Sequence, residues 1–333
     1  MSENIGCSTK EEFCKVKEDI KRLISNEIYG RIPLSPIHFD YNVKLTDSDF
    51  AAGKATYRRV ELTSETERGD VSFEITEITP NRSLPCPAVV FLSPYREIPN
   101  KLLPAEEIID RGYAVFSLYC NDITDNSPCF KSGIARTIAG SRKSKSAPGK
   151  IALWAWAAIR IMDYVSRLEL IRQNGIAVAG HGLLGKAALL AGGYDERFCY
   201  VIANDSMAFG TANGNINTVM YDLPQLFCPG ASRQGKIIRT NEEQTMLLTL
   251  CVPRPVLVRT AAADIRSVPE AERQCLEGLI AHYGLFGPAE DAFYFEKRGG
   301  AHYFSREDWS AYLDFIDKKM SKSLQYDNSS LLF

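Results

Sequence analysis

The chain has 333 residues, of which 45% are hydrophobic and 24% are charged, a composition typical of a globular protein with a sizeable core. Its formal net charge of -2, from 39 basic and 41 acidic residues, excludes the strong field that would attract nucleic acid or an anionic membrane surface. The length permits one large domain or two ordinary ones, and we predict a single domain over residues 1–333.

Apolar runs, cysteines and histidines indicate the compartment of the protein and whether it associates with a membrane or a metal. The amino terminus lacks the apolar stretch of roughly 7 to 15 residues that a secretory signal needs, and no run of about 18 apolar residues is present. Nine cysteines without a C-x-x-C pair fit reduced thiols, and the four histidines form no metal-binding pattern. We therefore expect a cytoplasmic protein without membrane association, metal or cofactor.

Residues 1–85 are predicted to contain one helix and edge strands. Apolar residues at three and four residue spacing predict a helix over residues 10–27. Alternating, β-rich stretches at 55–63 and 71–78 are separated by a polar turn and predict an antiparallel hairpin. We expect this hairpin to form the edge of a mixed sheet.

From Pro87 onward, short apolar runs alternate with helical segments, as strands buried on both faces of a parallel sheet do. The runs are AVVFL (88–92), YAVFSLY (113–119), IAVAG (176–180), YVIAN (200–204), PVLVRTA (255–261) and AFYFE (292–296). Helices are predicted near 103–111, 151–168, 183–191, 241–250, 269–283 and 305–320. The predicted fold class is α/β, a doubly wound, mostly parallel sheet with an antiparallel N-terminal edge hairpin.

The stretch from Ile176 to Phe198 joins a short apolar strand to an alanine- and leucine-rich helix through a glycine-bounded turn. Strand, tight turn and helix are the parts of a nucleophile elbow, which holds a reactive side chain at the amino end of a helix. Phosphate-binding loops of dinucleotide folds also use such a turn, and Gly180, Gly182 and Gly185 form a G-x-G-x-x-G pattern. A dinucleotide loop should open the first βα unit, whereas this one follows several strands, so the elbow is favoured.

Several segments carry a resemblance to a known family. They are EIYGRIP (27–33), RGYAVFSLYCNDI (111–123), KIALWAWAAIRIMDYV (150–165), GHGLLGKAALLAGGYDERF (180–198), VIANDS (201–206), VPRPVLV (252–258) and GGAHYFSREDW (299–309). Together they span nearly the whole chain, which resembles the bacterial branch of the glucuronoyl esterase and acetyl xylan esterase-like family of α/β-hydrolases. The resemblance implies an α/β-hydrolase fold and a carboxylic ester hydrolase.

In that family the elbow reads Gly-His-Ser-Arg-Leu-Gly, with serine as nucleophile and arginine assisting the oxyanion. This chain has Gly182 and Leu183 at those two positions. Glycine has no side chain to attack an ester carbonyl, and a leucine side chain cannot donate a hydrogen bond to an oxyanion. The coincident change at Leu183 argues against a single inactivating substitution.

The other catalytic positions that the resemblance implies are present. His302, in a Gly-Gly-Ala-His turn, matches the general base, and either Asp264 or Asp205 could be its carboxylate partner, with Asp264 favoured. His181 matches a residue of the elbow. Together with Leu183 and Trp154 it is a candidate for contact with substrate, although packing beneath the turn and a core position are the simpler interpretations of His181 and Trp154.

Three functions stay open at this stage. The first is a catalytically degenerate esterase. The second is an active ester hydrolase that uses a water activated by His302 or another nucleophile such as Ser206. The third is a non-catalytic binding or regulatory module that uses the cleft for a sugar acid, a small ester or a partner protein. Glycines, prolines and aromatic residues between 207 and 240 predict an insertion that covers the cleft.

Overall fold

A computed structural model describes residues 7–33, 36, 38–206, 222–231, 239–264, 268–289 and 292–330. Within these residues the molecule contains one nine-stranded sheet, in the order β1-β2-β3-β5-β4-β6-β7-β8-β9. The strands are β1 (His38–Asp49), β2 (Ala55–Thr66), β3 (Gly69–Pro80), β4 (Cys86–Ser93), β5 (Ala114–Tyr119), β6 (Ile171–His181), β7 (Tyr200–Asn204), β8 (Val256–Ala261) and β9 (Phe293–Arg298). The strands from β5 to β9 in this order run parallel, whereas β1, β2 and β3 are antiparallel to their neighbours.

Helices cover both faces of the sheet. They are α1 (Lys10–Leu23), α2 (Phe50–Gly53), α3 (Ala105–Asp110), α4 (Ala135–Ala139), α5 (Lys150–Val165), α6 (Leu183–Tyr194), α7 (Thr240–Cys251), α8 (Pro269–Glu277), α9 (Ile280–Gly284) and α10 (Arg306–Ser330). The element α2 is a turn with two left-handed alanines rather than a regular helix. The predicted doubly wound α/β sheet is confirmed, because this arrangement is that of an α/β-hydrolase fold.

The amino-terminal helix begins at a capping box, in which Thr9 accepts from the Glu12 N–H and the Glu12 carboxylate accepts from the Thr9 N–H. It ends earlier than predicted, because one π-helical turn, Ile24–Ile28, follows Leu23. Phe13, Ile24 and Ile28 are fully or almost fully buried and attach this segment to the main core. The helix therefore belongs to the same packed body as the sheet.

The antiparallel edge is wider than predicted. The hairpin of β2 and β3 is confirmed, with a continuous register from the Ala55↔Pro80 pair to the Thr66↔Gly69 pair. Outside it lies β1, a strand that we did not predict because its sequence is mostly polar and almost all of its residues are exposed. Three antiparallel strands, rather than a single hairpin, thus flank the parallel part.

The core lies on both faces of the parallel strands. In β4, Ala88 and Val90 belong to the cluster on one face, whereas Val89 and Phe91 belong to the cluster on the other. This explains why the strands appear in the sequence as continuous apolar runs instead of alternating ones. The rigid sheet brings the carboxyl ends of β6, β7 and β8 to one edge, where ligands bind in open α/β folds.

Most of the insertion predicted over residues 207–240 lies outside the described residues, including Tyr221. The described part holds a short 3-10 turn, Pro224–Leu226, followed by Phe227, which is buried and stacks on Tyr29. Among the described helices, none combines the length and apolar character needed to span a membrane. All nine cysteines are free thiols.

Candidate active site

The predicted elbow is present where β6 passes into α6. Gly182 stands between them with φ of 59° and ψ of −122°, a conformation that side-chain-bearing residues rarely adopt. A Cβ on Gly180 would lie only 2.2 Å from the Leu184 carbonyl oxygen, and one on Gly185 would lie 3.0 Å from the Ser206 Cβ. The glycine pattern is therefore explained by close packing of the turn, without a dinucleotide.

Gly182 faces the histidine of the predicted base position. A Cβ built on Gly182 would lie 3.2 Å from His302 Nε2 and 3.3 Å from His302 Cε1. The backbone thus directs the side-chain position of residue 182 at the imidazole nitrogen that accepts a proton in serine hydrolases. The geometry of a nucleophile and base pair is retained, while the nucleophile itself is absent.

His302 is oriented by Asp264. The distance between His302 Nδ1 and Asp264 Oδ2 is 2.6 Å, whereas His302 Nδ1 lies 3.9 Å from Asp205 Oδ2. The Asp264 side chain is almost fully buried and the His302 side chain is about one fifth exposed. Of the two carboxylates offered by the sequence, Asp264 is thus the one in hydrogen-bond contact with the histidine, and it leaves Nε2 facing the elbow.

Asp205 holds the loop that carries the histidine. Its Oδ1 accepts from the Ala261 N–H at 2.7 Å, and its Oδ2 accepts from the Tyr303 N–H at 3.2 Å and from Arg298 Nη2 at 2.7 Å. Burial raises the pKa of Asp205, and these donors oppose that rise by stabilising the carboxylate. Asp205 therefore ties the ends of β7 and β8 to the turn next to His302.

Arg298 is a site residue that the sequence reasoning missed. Besides Asp205, it donates to the carbonyls of Gly299, Ala301 and Tyr303 and forms an ion pair with Asp308. No local pattern in the sequence marked it, because its partners are backbone carbonyls and a carboxylate 93 residues away. Arg298 fixes the backbone on both sides of His302.

His181 lies directly beneath His302. Their ring centroids are 4.1 Å apart, and His181 Nδ1 lies 2.8 Å from Asn204 Oδ1. The side chain therefore packs under the elbow, as its simpler interpretation predicted. Asn204 in turn donates to the Tyr312 hydroxyl, which connects the elbow to α10.

The structure also places three potential metal ligands together, which sequence spacing did not predict. Ligand atoms of His181, Asp205 and His302 all lie within 4.8 Å of one another. Their geometry can hold a cation, but their hydrogen bonds compete with that role. His302 Nδ1 is bonded to Asp264, and Asp205 Oδ2 is bonded to the cationic Arg298. The donor set thus fits an imidazole base and its support better than a metal.

Of the remaining candidates, Trp154 and Ser206 lie away from the reacting position, whereas Leu183 directly follows Gly182. Trp154 is 3% exposed, and its indole N–H donates to the carbonyls of Cys120 and Thr124, so the substrate contact suggested for it is replaced by a core role. Leu183 is the first residue of α6 and packs partly against the core. The Ser206 hydroxyl is buried and donates to Glu272, a partner that belongs to a different network.

One helical turn below the elbow lies a buried ion pair that the sequence reasoning also missed. Lys186 Nζ lies 2.6 Å from Glu243 Oε2 and 2.9 Å from Gln244 Oε1, and the Tyr29 hydroxyl donates to the other oxygen of Glu243. Both charged side chains are almost completely buried. Burial and the neighbouring carboxylate raise the pKa of Tyr29. This network joins α6, α7 and the amino-terminal segment beneath the site.

Comparison with known sequences supports the family resemblance. A family model described as glucuronyl esterase, fungi, matches residues 60–223. A carbohydrate esterase named MZ0003, from an unknown prokaryotic organism, is 29% identical over 242 residues, which cover 65% of this chain. The matched region spans 56% of the length of that relative.

Comparison with solved structures supports the fold. A glucuronoyl esterase from Solibacter usitatus matches with a TM-score of 0.81 and 23% identity, covering 93% of this chain and 94% of that one. A glucuronoyl esterase from Teredinibacter turnerae matches with a TM-score of 0.79 and 20% identity, covering 94% and 86% of the two chains. These matches, at 20% and 23% identity, show the α/β-hydrolase fold. The family model and the carbohydrate esterase relative are the findings that support membership of the glucuronoyl esterase-like family of carbohydrate esterases.

Proposed function

We propose that this chain is a degenerate carbohydrate esterase, which has lost serine-type acyl transfer while keeping the scaffold of its site. One observation carries the proposal. The side-chain position of residue 182 points at His302 Nε2, whose ring is held by Asp264, yet residue 182 is glycine. The base and its orienting carboxylate therefore lack a side-chain nucleophile to activate.

Two requirements of acyl transfer are missing, a nucleophile and a side-chain donor to the oxyanion. Acyl transfer needs an oxygen or sulfur atom that attacks the carbonyl after losing its proton to the histidine, and Gly182 supplies none. It also needs donors toward the oxyanion, and the Leu183 side chain offers none. What is retained is the Leu183 N–H at the amino end of α6, where a helix favours developing negative charge.

The ligand that we propose for the cleft is a small ester or a sugar acid. The printed names of the relatives, glucuronoyl and carbohydrate esterases, support this class of compound. The chain has a formal charge of -2 and is not built to attract a polyanion such as nucleic acid. Binding of the ester would place its carbonyl beside Gly182 and His302, next to the amino end of α6.

Restoration of the two lost side chains tests the proposal. Hydrolysis of an activated acetate and of a methyl glucuronate ester is measured for the natural chain, the double variant Gly182→Ser, Leu183→Arg, and the double variant combined with His302→Ala. We expect a silent natural chain and a gain of at least about 100-fold in the double variant, lost again with His302→Ala. Turnover by the natural chain through His302 would overturn the proposal.

A second candidate function rests on the space that Gly182 leaves open. A water beside Gly182, in contact with the Gly182 Cα, could lie within hydrogen-bond distance of His302 Nε2, which faces this residue. The histidine would take a proton from this water, hydroxide would attack the ester carbonyl, and the imidazolium would return the proton to the departing alkoxide. In this case the natural chain hydrolyses the ester slowly, His302→Gln abolishes the reaction, and no acyl-enzyme forms. Tight binding without turnover that survives His302→Ala would instead indicate a binding module.

A further inference from the structure

A cavity of about 400 Å³ lies between the amino-terminal segment and the helices α5 and α6. Three arginines, Arg22, Arg31 and Arg160, contribute to its wall, together with the aromatic side chains of Trp156 and Tyr194. No acidic side chain occurs among the described residues that line it. The cavity thus combines a strongly basic side with an apolar and aromatic side.

Two buried donors in this wall lack hydrogen-bond partners among the described residues. Arg160 is 4% exposed, and its Nη1 atom has no hydrogen-bond acceptor. Trp156 is fully buried, and its indole N–H also has no acceptor. The two residues are one helical turn apart on α5 and share a face of it, with the guanidinium 5.7 Å from the indole centroid. Both atoms are closed off from the cavity, so the Arg160 guanidinium must turn toward the cavity to contact a ligand. Unpartnered buried donors cost free energy, and such a contact would remove the cost of the Arg160 donor.

The positive charge of this region is only partly compensated. Arg160 Nε lies 2.8 Å from Asp163 Oδ2, but the other oxygen of that carboxylate lies 2.7 Å from Arg197 Nη2. Arg22 pairs with Asp19 at the surface, and Arg31 approaches the Asn26 amide oxygen, which carries no charge. Burial lowers the pKa of Arg160, as expected for a guanidinium that is costly to keep charged without an anion.

The cavity is separate from the candidate active site. Tyr194, in its wall, is the last residue of α6, whereas Gly182 stands at the first turn of the same helix. Twelve helical residues span roughly 18 Å, so the two sites lie at opposite ends of α6.

We propose that this cavity binds a small organic phosphate of about the size of a sugar phosphate. The guanidinium groups match the oxygens of a phosphate in paired hydrogen bonds. The volume exceeds that of a bare phosphate ion and falls in the range of sites for small molecules. The apolar part of the wall, including Ile32 and Ile159, would contact the carbon skeleton of the ligand.

Calorimetric titration of the full chain tests this proposal, with glucose 6-phosphate as probe and inorganic phosphate and glucuronate as comparison ligands. We expect glucose 6-phosphate to bind most tightly. Arg31→Ala and Arg160→Met should each weaken that binding by about 10-fold or more. Arg306→Ala, an exposed arginine paired with Glu107 elsewhere, is the matched control and should leave binding unchanged.

The variant at Arg31 keeps the test independent of folding, because this side chain is exposed and makes only one long contact. The absence of binding at millimolar glucose 6-phosphate would overturn the proposal, as would binding that survives both Arg31→Ala and Arg160→Met. Tighter binding of inorganic phosphate would overturn the assignment to an organic phosphate, as would tighter binding of glucuronate that Arg31→Ala weakens. Glucuronate binding that Arg31→Ala leaves unchanged would be assigned to the cleft at Gly182. The double variant Gly182→Ser, Leu183→Arg should bind as the natural chain does, because it alters only the distant end of α6.

Discussion

The two sides of the candidate active site differ in what they contain. The base side has hydrogen-bonded side chains, whereas the elbow side has only a backbone conformation. On the base side, His302 is bonded to Asp264, and Asp205 and Arg298 hold the loop around it. On the elbow side, the backbone of Gly182 keeps the conformation of a nucleophile position, but no reactive side chain stands there. The difference teaches that packing and hydrogen bonds set the backbone geometry of an elbow without regard to whether its central residue carries a reactive group.

The largest effect is expected from breaking the base side in a chain whose elbow has been restored. In the double variant Gly182→Ser, Leu183→Arg, the further change Asp264→Asn should lower kcat by about 10⁴-fold, because the imidazole loses its orienting carboxylate. Asp205→Asn in the same background should lower kcat much less, since Asp205 lies 3.9 Å from the ring nitrogen. Steady-state kinetics would check both, and equal losses would contradict the assignment of Asp264.

Asp205 should matter more for stability than for the reaction. Asp205→Asn would remove a buried charge that accepts from Arg298, Tyr303 and Ala261, and should lower the free energy of unfolding by roughly 3 to 5 kcal/mol. Urea denaturation measures this loss. Asp314→Asn is the matched control, because Asp314 pairs with Arg111 at the surface and should change stability by at most about 1 kcal/mol. A loss of similar size in both variants would contradict the supporting role of Asp205.

A substitution at Gly182 tests what glycine contributes to the stability of the elbow side. Gly182→Ala should lower the free energy of unfolding by about 1 to 3 kcal/mol, because its positive φ is strained for any side chain and the new Cβ would crowd His302. Gly284→Ala is the control, since no atom lies within 4 Å of its would-be Cβ and its φ is not positive. Thermal denaturation compares the two. An unchanged melting temperature in Gly182→Ala would show that the elbow is not held in this conformation.

These elements also show how far the sequence could be interpreted. The parallel strands and the elbow were predictable, because strands buried on both faces give continuous apolar runs and tight turns need glycine at fixed positions. The strand β1 was missed although Phe39, Tyr41, Val43 and Leu45 alternate along it, because the residues between and after them are polar. His302 and the two carboxylates could be proposed from their segments, and the structure was needed to bring Asp264 rather than Asp205 into contact with the ring.

The residues that support the site were harder to predict. Arg298 acts through contacts to backbone carbonyls and to Asp205, 93 residues away, and no local pattern predicts such a partner. The ion pair between Lys186 and Glu243 likewise joins α6 to α7 across 57 residues. Trp154 appeared to be a possible sugar contact because it is aromatic, but its helix is buried on nearly every side. Long-range pairing is a property of the fold and not of any one segment.

The smallest expected effect concerns Glu272, a buried acid near the candidate active site. Burial raises the pKa of Glu272 to about 7, while a glutamate in an unfolded chain has a pKa of about 4.3. Between these values the unfolded chain releases the proton and the folded one retains it, so the free energy of unfolding falls as the pH rises through this window. Glu272 bonds Ser206 and Thr260, close to the ends of β7 and β8.

Glu272→Gln should remove this slope, so that the stability of the variant relative to the natural chain increases from about pH 5 to about pH 8. Chemical denaturation at several pH values measures it. Glu270→Gln, on the same helix, is the control, because a hydrogen bond from Arg273 lowers the pKa of the exposed Glu270 and moves its titration below this range. A slope that persists in Glu272→Gln would place the titrating group elsewhere.

The most direct test of the account is covalent trapping of the nucleophile position. A fluorophosphonate forms a bond between its phosphorus and an activated serine oxygen and releases fluoride, and intact mass spectrometry detects the adduct. We expect no adduct on the natural chain and one adduct on the double variant Gly182→Ser, Leu183→Arg, in the peptide that contains position 182 and only when His302 is present. An adduct on the natural chain would reveal another activated nucleophile and would contradict the central claim that this site has lost its own.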